Sequence, residues 1–150
     1  MRAPQDVIVF LGRFEHTLDA KGRLAIPARF RADLGDGLVV TRGIDPCLAV
    51  YPMAVWAELA ERITRLSFAD ADARQFRRIV FSEAMDVSLD AQGRIVVSQD
   101  LRDYAGITRD AVIVGLHTSF EIWSPERWTS VHERAEHGAV DVAARLADLL

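Results

Sequence analysis

The alternation of apolar and polar residues in this sequence predicts short strands interrupted by a few helices. Apolar-rich runs of four or five residues are typical of short strands. Four such runs lie at residues 38–41, 48–51, 111–115 and 120–123. An apolar stripe at helical spacing, which predicts an amphipathic helix, consists of Val55, Trp56, Leu59, Ile63 and Leu66. The pattern therefore indicates a mainly β protein with peripheral α-helices.

The same pattern occurs twice in the chain. With a shift of 71 residues, LDAKGRLAI at 18–26 aligns with LDAQGRIVV at 89–97. A match of this length indicates an internal duplication. We therefore expect a single domain over residues 1–150, built from repeat 1 at about 10–66 and repeat 2 at about 82–137. A linking helix is expected at about 70–81.

Helix signals close each repeat. Pro52 and Pro125 suit first helical positions, and Ser124 suits a helix cap. Trp56 and Trp128 occupy equivalent positions and are expected to anchor these two helices. The segment 138–150 alternates Ala, Val and Leu with charges. It either extends the second helix or frays.

Each repeat carries an Asp-x-x-Gly-Arg turn between two apolar runs. The turn-motif residues are Asp19, Gly22 and Arg23 in the first copy and Asp90, Gly93 and Arg94 in the second. Glycine at this position permits a positive φ, and the Asp side chain can accept hydrogen bonds from turn amides. The spacing is typical of a β-hairpin. The arginine that follows can pair with the carboxylate or contact a ligand.

Neither repeat alone has enough strands to close its sheet edges. Two repeats with interlocking strands could form a closed barrel, which removes exposed edges. We therefore predict one pseudo-symmetric β-barrel with helices packed around it.

Charge is unevenly distributed along the chain. The net charge is −4, which argues against a surface coated in positive charge. Between residues 12 and 31, however, five cations face only two carboxylates, whereas residues 132–150 are acidic. Cys47 is the single cysteine, so an internal disulfide is excluded. The sequence has no pattern of a secretory signal or membrane span, and a cytoplasmic location without a membrane partner is expected.

With these motifs in place, the sequence resembles the MraZ family. The likeness spans roughly residues 10–137 and is most specific at FLGRFEHTLDAKGRLAIP (10–27), supported by LDAQGR (89–94). The resemblance implies a swapped-hairpin, double-psi type β-barrel of the AbrB/SpoVT-like kind. It also implies a transcriptional regulator that binds double-stranded DNA and has no cofactor. The expected protein is a ring-shaped homo-oligomer that binds short G-rich direct repeats in the promoter of its own operon, the division and cell-wall cluster. The resemblance further implies that the protein associates with the nucleoid.

The two copies are not equivalent, because Gln92 replaces the cationic Lys21 and Ser98 replaces Pro27. Repeat 1 is therefore expected to contact DNA, and Arg94 is expected to brace its own turn. The candidate DNA-binding residues, with Lys21 and Arg23 first, are Arg13, Lys21, Gly22, Arg23, Arg29 and Arg31.

Several alternatives stand beside this interpretation. Arg23 could form an internal salt bridge to Asp19 instead of contacting DNA. Asp19 and Asp90 could form a catalytic pair, as in the aspartic proteases among related barrels, but the Asp-Thr/Ser-Gly pattern is absent. The four histidines show no metal-ligand spacing, and neither a metal nor an enzyme is expected. A scaffold ring that recruits a protein partner is the alternative function.

Two further points concern other parts of the chain. Arg74, Arg77 and Arg78 around Phe76 are expected to form a charged outer helix face rather than a second nucleic-acid patch. Members of the family begin close to the Phe-Leu-Gly segment. Translation is therefore expected to start at Val9, because GTG codons can initiate in bacteria.

Overall fold

The computed structural model describes residues 9–150. Initiation at Val9 concerns residues 1–8, which lie outside the described residues. The strands are β1 (Arg13–Thr17), β2 (Arg23–Ala25), β3 (Leu38–Arg42), β4 (Leu48–Pro52), β5 (Met85–Val87), β6 (Arg94–Val96), β7 (Asp110–Gly115) and β8 (Phe120–Trp123). The helices are α1 (Ala28–Arg31), α2 (Met53–Thr64), α3 (Ala71–Glu83), α4 (Gln99–Ala105) and α5 (Pro125–Leu146). The four strands predicted from apolar runs are confirmed, with ends that agree within one residue.

The strand order has internal two-fold pseudo-symmetry. Six strands form one sheet in the order β1-β7-β8-β4-β3-β5, and β2 pairs with β6 in a separate two-stranded ribbon. Exchanging β1–β4 with β5–β8 leaves this order unchanged, because β1 pairs with β7 as β5 pairs with β3. The first strand of each repeat therefore lies in the sheet beside strands of the other repeat, which is the predicted swap.

The core lies between the six-stranded sheet and the β2–β6 ribbon. Leu24 and Ile95 from the ribbon and Val40, Ile113 and Phe120 from the sheet are all fully or almost fully buried in one cluster. The pairings within residues 9–150 do not run round as one continuous ring, because β1 and β5 are the edges of the sheet. The fold is thus mainly β and barrel-like, with the ribbon covering the open side.

The two Asp-x-x-Gly-Arg segments form tight turns but not simple hairpins. After the isolated bridge between Leu18 and Leu24, β1 continues to β7 and β2 continues to β6. The expected hairpin is therefore limited to the turn and the antiparallel Leu18–Leu24 bridge, and it does not extend into β1 and β2. The strands that flank the turn separate because each finds its hydrogen-bonding partner in the other repeat.

The helices that close the repeats pack through aromatic residues. Trp56 on α2 contacts Tyr51 and Phe81 with ring centroids 6.0 and 5.8 Å apart. Trp128 on α5 contacts Trp123 at 6.0 Å, where Val131 also packs. Both tryptophans thus anchor their helices, as the sequence predicts.

Helix starts agree with the sequence in one repeat and differ in the other. Pro125 is the first residue of α5, and the Ser124 hydroxyl accepts a hydrogen bond from the Arg127 amide at 3.2 Å. Pro52, by contrast, is the last residue of β4 and has an extended ψ of 152°, so the prediction that it begins the helix was wrong by one residue. Its backbone still pairs with Leu38 in the sheet. Helix α5 continues to Leu146, so most of the segment 138–150 is helical rather than frayed.

No helix between residues 9 and 150 has the length and apolar character needed to cross a lipid bilayer.

Candidate nucleic-acid interface

The first turn is fixed by a single carboxylate. Asp19 Oδ1 accepts hydrogen bonds from the backbone amides of Lys21 and Arg23, both at 2.9 Å. Asp19 Oδ2 pairs with Arg23 Nε at 2.5 Å. Gly22 has φ of 77°, which closes the turn without strain. The Lys21 residue is exposed at the apex of this turn.

The second turn repeats this geometry. Asp90 Oδ1 accepts from the amides of Gln92 and Arg94 at 2.9 and 2.8 Å, and Oδ2 pairs with Arg94 Nε at 2.9 Å. Gly93 has φ of 76°. The internal salt bridge considered for Arg23 is therefore present in both copies. Because each arginine donates to the carboxylate of its own turn through Nε, the motif both stiffens the turn and orients the rest of the side chain.

The two carboxylates are held ionised by their own motifs. Hydrogen bonding from the backbone of Arg23 lowers the pKa of Asp19, aided by the Arg23 side chain and the Lys21 amide. The pKa of Asp90 is lowered by the same contacts with Arg94 and Gln92. A pair of carboxylates that share a proton would instead have one strongly raised pKa. The arrangement supports a turn-stabilising role for both residues.

Each turn is braced by an arginine from the other repeat. Arg102 braces the first turn, and Arg31, at the equivalent position of repeat 1, braces the second. Arg102 Nε donates to Val97 O at 3.1 Å, and a Cβ placed on Gly22 would lie 3.0 Å from the Arg102 guanidinium carbon. The amide of Val97 in turn donates to Gly22 O at 2.9 Å. The guanidinium of Arg102 therefore packs directly on the backbone of the first turn.

The reciprocal contact holds the second turn. Arg31 Nε donates to Ile26 O at 2.8 Å, and its guanidinium packs against Gly93. The Ile26 amide donates to Gly93 O at 2.9 Å. Arg31 was predicted from sequence as a DNA contact. The structure makes it a half-buried brace for the turn of repeat 2.

An open cleft of about 580 Å³ lies beside the first turn. Arg23, Arg94 and Arg109 line it together with Asp19, which is the single carboxylate among the described lining residues. Arg94 Nη1 lies 3.9 Å from Asp19 Oδ2, so the second motif reaches across to the first. The β2–β6 ribbon causes this approach, because it pairs Ala25 with Arg94.

The remaining predicted residues lie in different places. Arg29 is exposed on α1. Arg13 is exposed on β1, but its guanidinium lies 6.0 Å from the centre of the Trp128 ring and faces a groove that also contains Glu133 and Glu136. The structure thus groups Arg23 with the second motif and leaves Arg13 outside that cleft.

Arg109 is the cleft residue that reasoning from the sequence missed. It precedes β7 and belongs to no motif, so neither turn pattern indicates it. A charge comparison of the two repeats just before β3 and β7 would have singled it out. The residues between 9 and 150 contain no group of three His, Cys, Asp or Glu side chains placed to hold a metal ion.

Fold and site together define a duplicated β protein whose two repeats interlock and bring paired Asp-x-x-Gly-Arg turns to one surface. The family model described as "MraZ protein, putative antitoxin-like" matches the chain twice, at residues 9–79 and 80–150. The chain belongs to the MraZ family.

Relatives of nearly the same length carry a functional name. "Transcriptional regulator MraZ" of Thermomicrobium roseum is 53% identical over 142 residues, covering 95% of this chain and 100% of the relative. The protein of that name from Roseiflexus castenholzii is 50% identical over 94% of this chain and 99% of its own. That from Herpetosiphon aurantiacus is 56% identical over 82% and 86%. The family is thus one of transcriptional regulators, and its name is not that of an enzyme.

Proposed function

We propose that this protein regulates transcription by binding double-stranded DNA through the surface around its first turn. The observation that carries the proposal is the position of Lys21, at the exposed apex of a rigid turn, beside a cleft lined by Arg23 and Arg94. Cations held on a stiff backbone lose little conformational freedom on binding. Such an arrangement suits contacts with DNA phosphates, and with base edges where a side chain enters a groove.

Repeat 1 is proposed as the principal DNA-contacting half. Its turn carries Lys21 where the second turn carries the neutral Gln92. Of the residues predicted from sequence, Lys21, Arg23 and Gly22 lie at this turn and Arg29 is exposed on α1. Arg13 and Arg31 are proposed to act indirectly, since one lies beside Trp128 and the other braces the second turn.

The regulator is further proposed to act as a ring-shaped homo-oligomer at short direct repeats in the promoter of its own division and cell-wall operon. The support is the resemblance to the family together with the small size of the patch. One turn with few cations gives weak binding, but a ring presents the patch repeatedly and raises the effective concentration for successive DNA repeats. Association with the nucleoid would follow from such binding. A net charge of −4 is compatible with this mechanism, because only the contacting patch must be basic.

The test is DNA binding by wild type and Lys21→Gln, which copies the residue of the second turn. Lys21 bonds to Asp19 through its backbone amide and not through its side chain, so the turn should survive the change. We expect wild type to bind an own-promoter fragment with steep salt dependence. Lys21→Gln should reduce the slope of log affinity against log salt by about 0.9 for each subunit whose lysine contacts a phosphate.

Arg134→Gln on α5 is the matched control, because it removes one positive charge from an exposed position far along the chain from the turn. It should leave the slope unchanged. Equal slopes for wild type and Lys21→Gln would refute the assignment of the interface. Absence of DNA binding by wild type at low salt would refute the function and favour the scaffold ring.

A further inference from the structure

The cleft beside the first turn contains a cation that comes from neither turn. Arg109 lies in the loop between α4 and β7 and is exposed. Its backbone is fixed, because Arg109 O accepts a hydrogen bond from the Leu18 amide at 2.6 Å and the next residue pairs with Thr17. The Arg109 guanidinium makes no hydrogen bond or ion pair with the described part of the chain. The position of this side chain at the cleft is thus set by the fold, while its donors remain available.

The pseudo-symmetry shows that this cation is specific to one side of the molecule. Ala111 pairs with His16, and Leu38 pairs with Val87, the residue 71 positions after His16. Ala111 and Leu38 are therefore equivalent. Two residues earlier, the chain has Arg109 in repeat 2 but Asp36 in repeat 1.

Two differences between the repeats make the surroundings of the first turn more positive than those of the second. The first turn has Lys21 and the nearby Arg109, whereas the equivalent positions at the second turn are Gln92 and Asp36. The carboxylate in the cleft, Asp19, is already engaged by the Arg23 side chain and by two backbone amides. It therefore offsets only part of the positive charge that Arg23, Arg94 and Arg109 place around the cleft.

We infer that Arg109 is a DNA-contacting residue that repeat 2 contributes to the interface of repeat 1, where its guanidinium binds a backbone phosphate. The inference rests on the proposed DNA-binding function. A guanidinium presents several N–H donors in a planar fork that matches phosphate oxygens. With Arg23 and Arg94 on the same cleft, the interface is composite, and neither repeat alone would assemble it.

The experiment compares wild type, Arg109→Gln, Arg109→Lys and Arg109→Asp for binding to the own-promoter fragment and to a scrambled fragment across a salt series. The Leu18 hydrogen bond uses the backbone of residue 109, so the fold should be retained. A thermal melt checks this. Arg109→Gln should reduce the salt slope on both fragments by about 0.9 for each subunit that contacts the DNA, because a phosphate contact carries no sequence information.

Arg109→Lys should keep the wild-type slope, since a phosphate accepts a point charge. Arg109→Asp, which copies Asp36 at the equivalent position of repeat 1, should lose at least as much as Arg109→Gln. A wild-type slope for folded Arg109→Gln and Arg109→Asp would overturn the inference while leaving the proposed function standing. A loss confined to the own-promoter fragment would also overturn it, because that result indicates a base contact. If wild type binds neither fragment, the proposed function fails together with the inference.

Discussion

At the scale of single residues, the same side chains serve structure and proposed binding. The Asp19 carboxylate accepts three hydrogen bonds within four residues of chain. Its partner Arg23 remains about one-third exposed, so the guanidinium is anchored at Nε and open elsewhere. Anchoring reduces the freedom that the side chain would otherwise lose on meeting DNA. An internal salt bridge and a ligand contact are therefore compatible uses of one arginine.

A pH prediction follows from the lowered pKa of Asp19. In the unfolded chain the Asp19 carboxyl has a pKa near its ordinary value of 3.8, and in the folded protein its pKa is lower. The contacts of Asp19 therefore stabilise the fold above pH 3.8, and this stabilisation is lost as the pH falls through the folded pKa. We expect Asp19→Asn to lower the free energy of unfolding at neutral pH. The variant should also show a smaller further loss below 3.8 than wild type. Urea unfolding over a pH series measures both effects.

Parallel curves for the two proteins, with a constant gap down to the acid limit, would contradict this account. Asp90→Asn serves as the matched comparison, because its carboxyl has the same partners in the second turn and its pKa is lowered for the same reason. The two variants should behave alike in stability even though only the first turn is proposed to contact DNA.

At the scale of elements, each turn is a unit closed by glycine and braced from outside. Gly22 is surrounded by Val97 O and the guanidinium of Arg102, which leaves no room for a side chain. The brace fixes where each turn lies relative to the other repeat. The turn conformation depends on local hydrogen bonds, but its position depends on the other half of the molecule.

Gly22→Ala should destabilise the protein by about 1–3 kcal/mol, through left-handed backbone strain and the added clash. A Cβ at this position would lie 2.8 Å from Val97 O. Gly35→Ala is the matched control, because Gly35 has a right-handed φ of −59° and open space around it. It should range from neutral to about 1 kcal/mol more stable. Chemical denaturation measures both, and equal effects of the two substitutions would contradict the role of the brace.

At the scale of the whole molecule, the repeats are interlocked rather than placed side by side. Strands β1 and β2 of repeat 1 pair with β7 and β6, and β5 of repeat 2 pairs with β3. Leu24 and Ile95 lie opposite each other across the ribbon and enter one core. A single repeat therefore has unpaired strands and an incomplete core.

We expect residues 9–83 expressed alone to give no folded monomer, because β1 and β2 would lack their partners and leave backbone groups unpaired. Mixing this fragment with residues 84–150 should restore a cooperative unfolding transition. Circular dichroism and analytical ultracentrifugation distinguish these states. Folding of residues 9–83 as a monomer with native-like cooperativity would show that the interlock is not required.

The duplication, the two turns and most of the helices and strands can be predicted from the amino-acid sequence alone. These features depend on interactions between residues close in the chain: strand alternation, helical periodicity, a serine cap and the contacts of Asp19 and Asp90. The alignment of the repeats likewise shows that the first turn carries the cation Lys21 where the second carries the neutral Gln92.

The pairing of the strands and the grouping of the cations, by contrast, depend on the three-dimensional fold. An alternating strand can bury its apolar face against several partners, so its pattern does not identify the partner. Strands β1 and β2 pair with the other repeat. As a result Arg31 lies at the second turn and Arg109 lies at the first, while Arg13 lies beside Trp128. Residues distant in sequence became neighbours because one core had to be closed by both repeats.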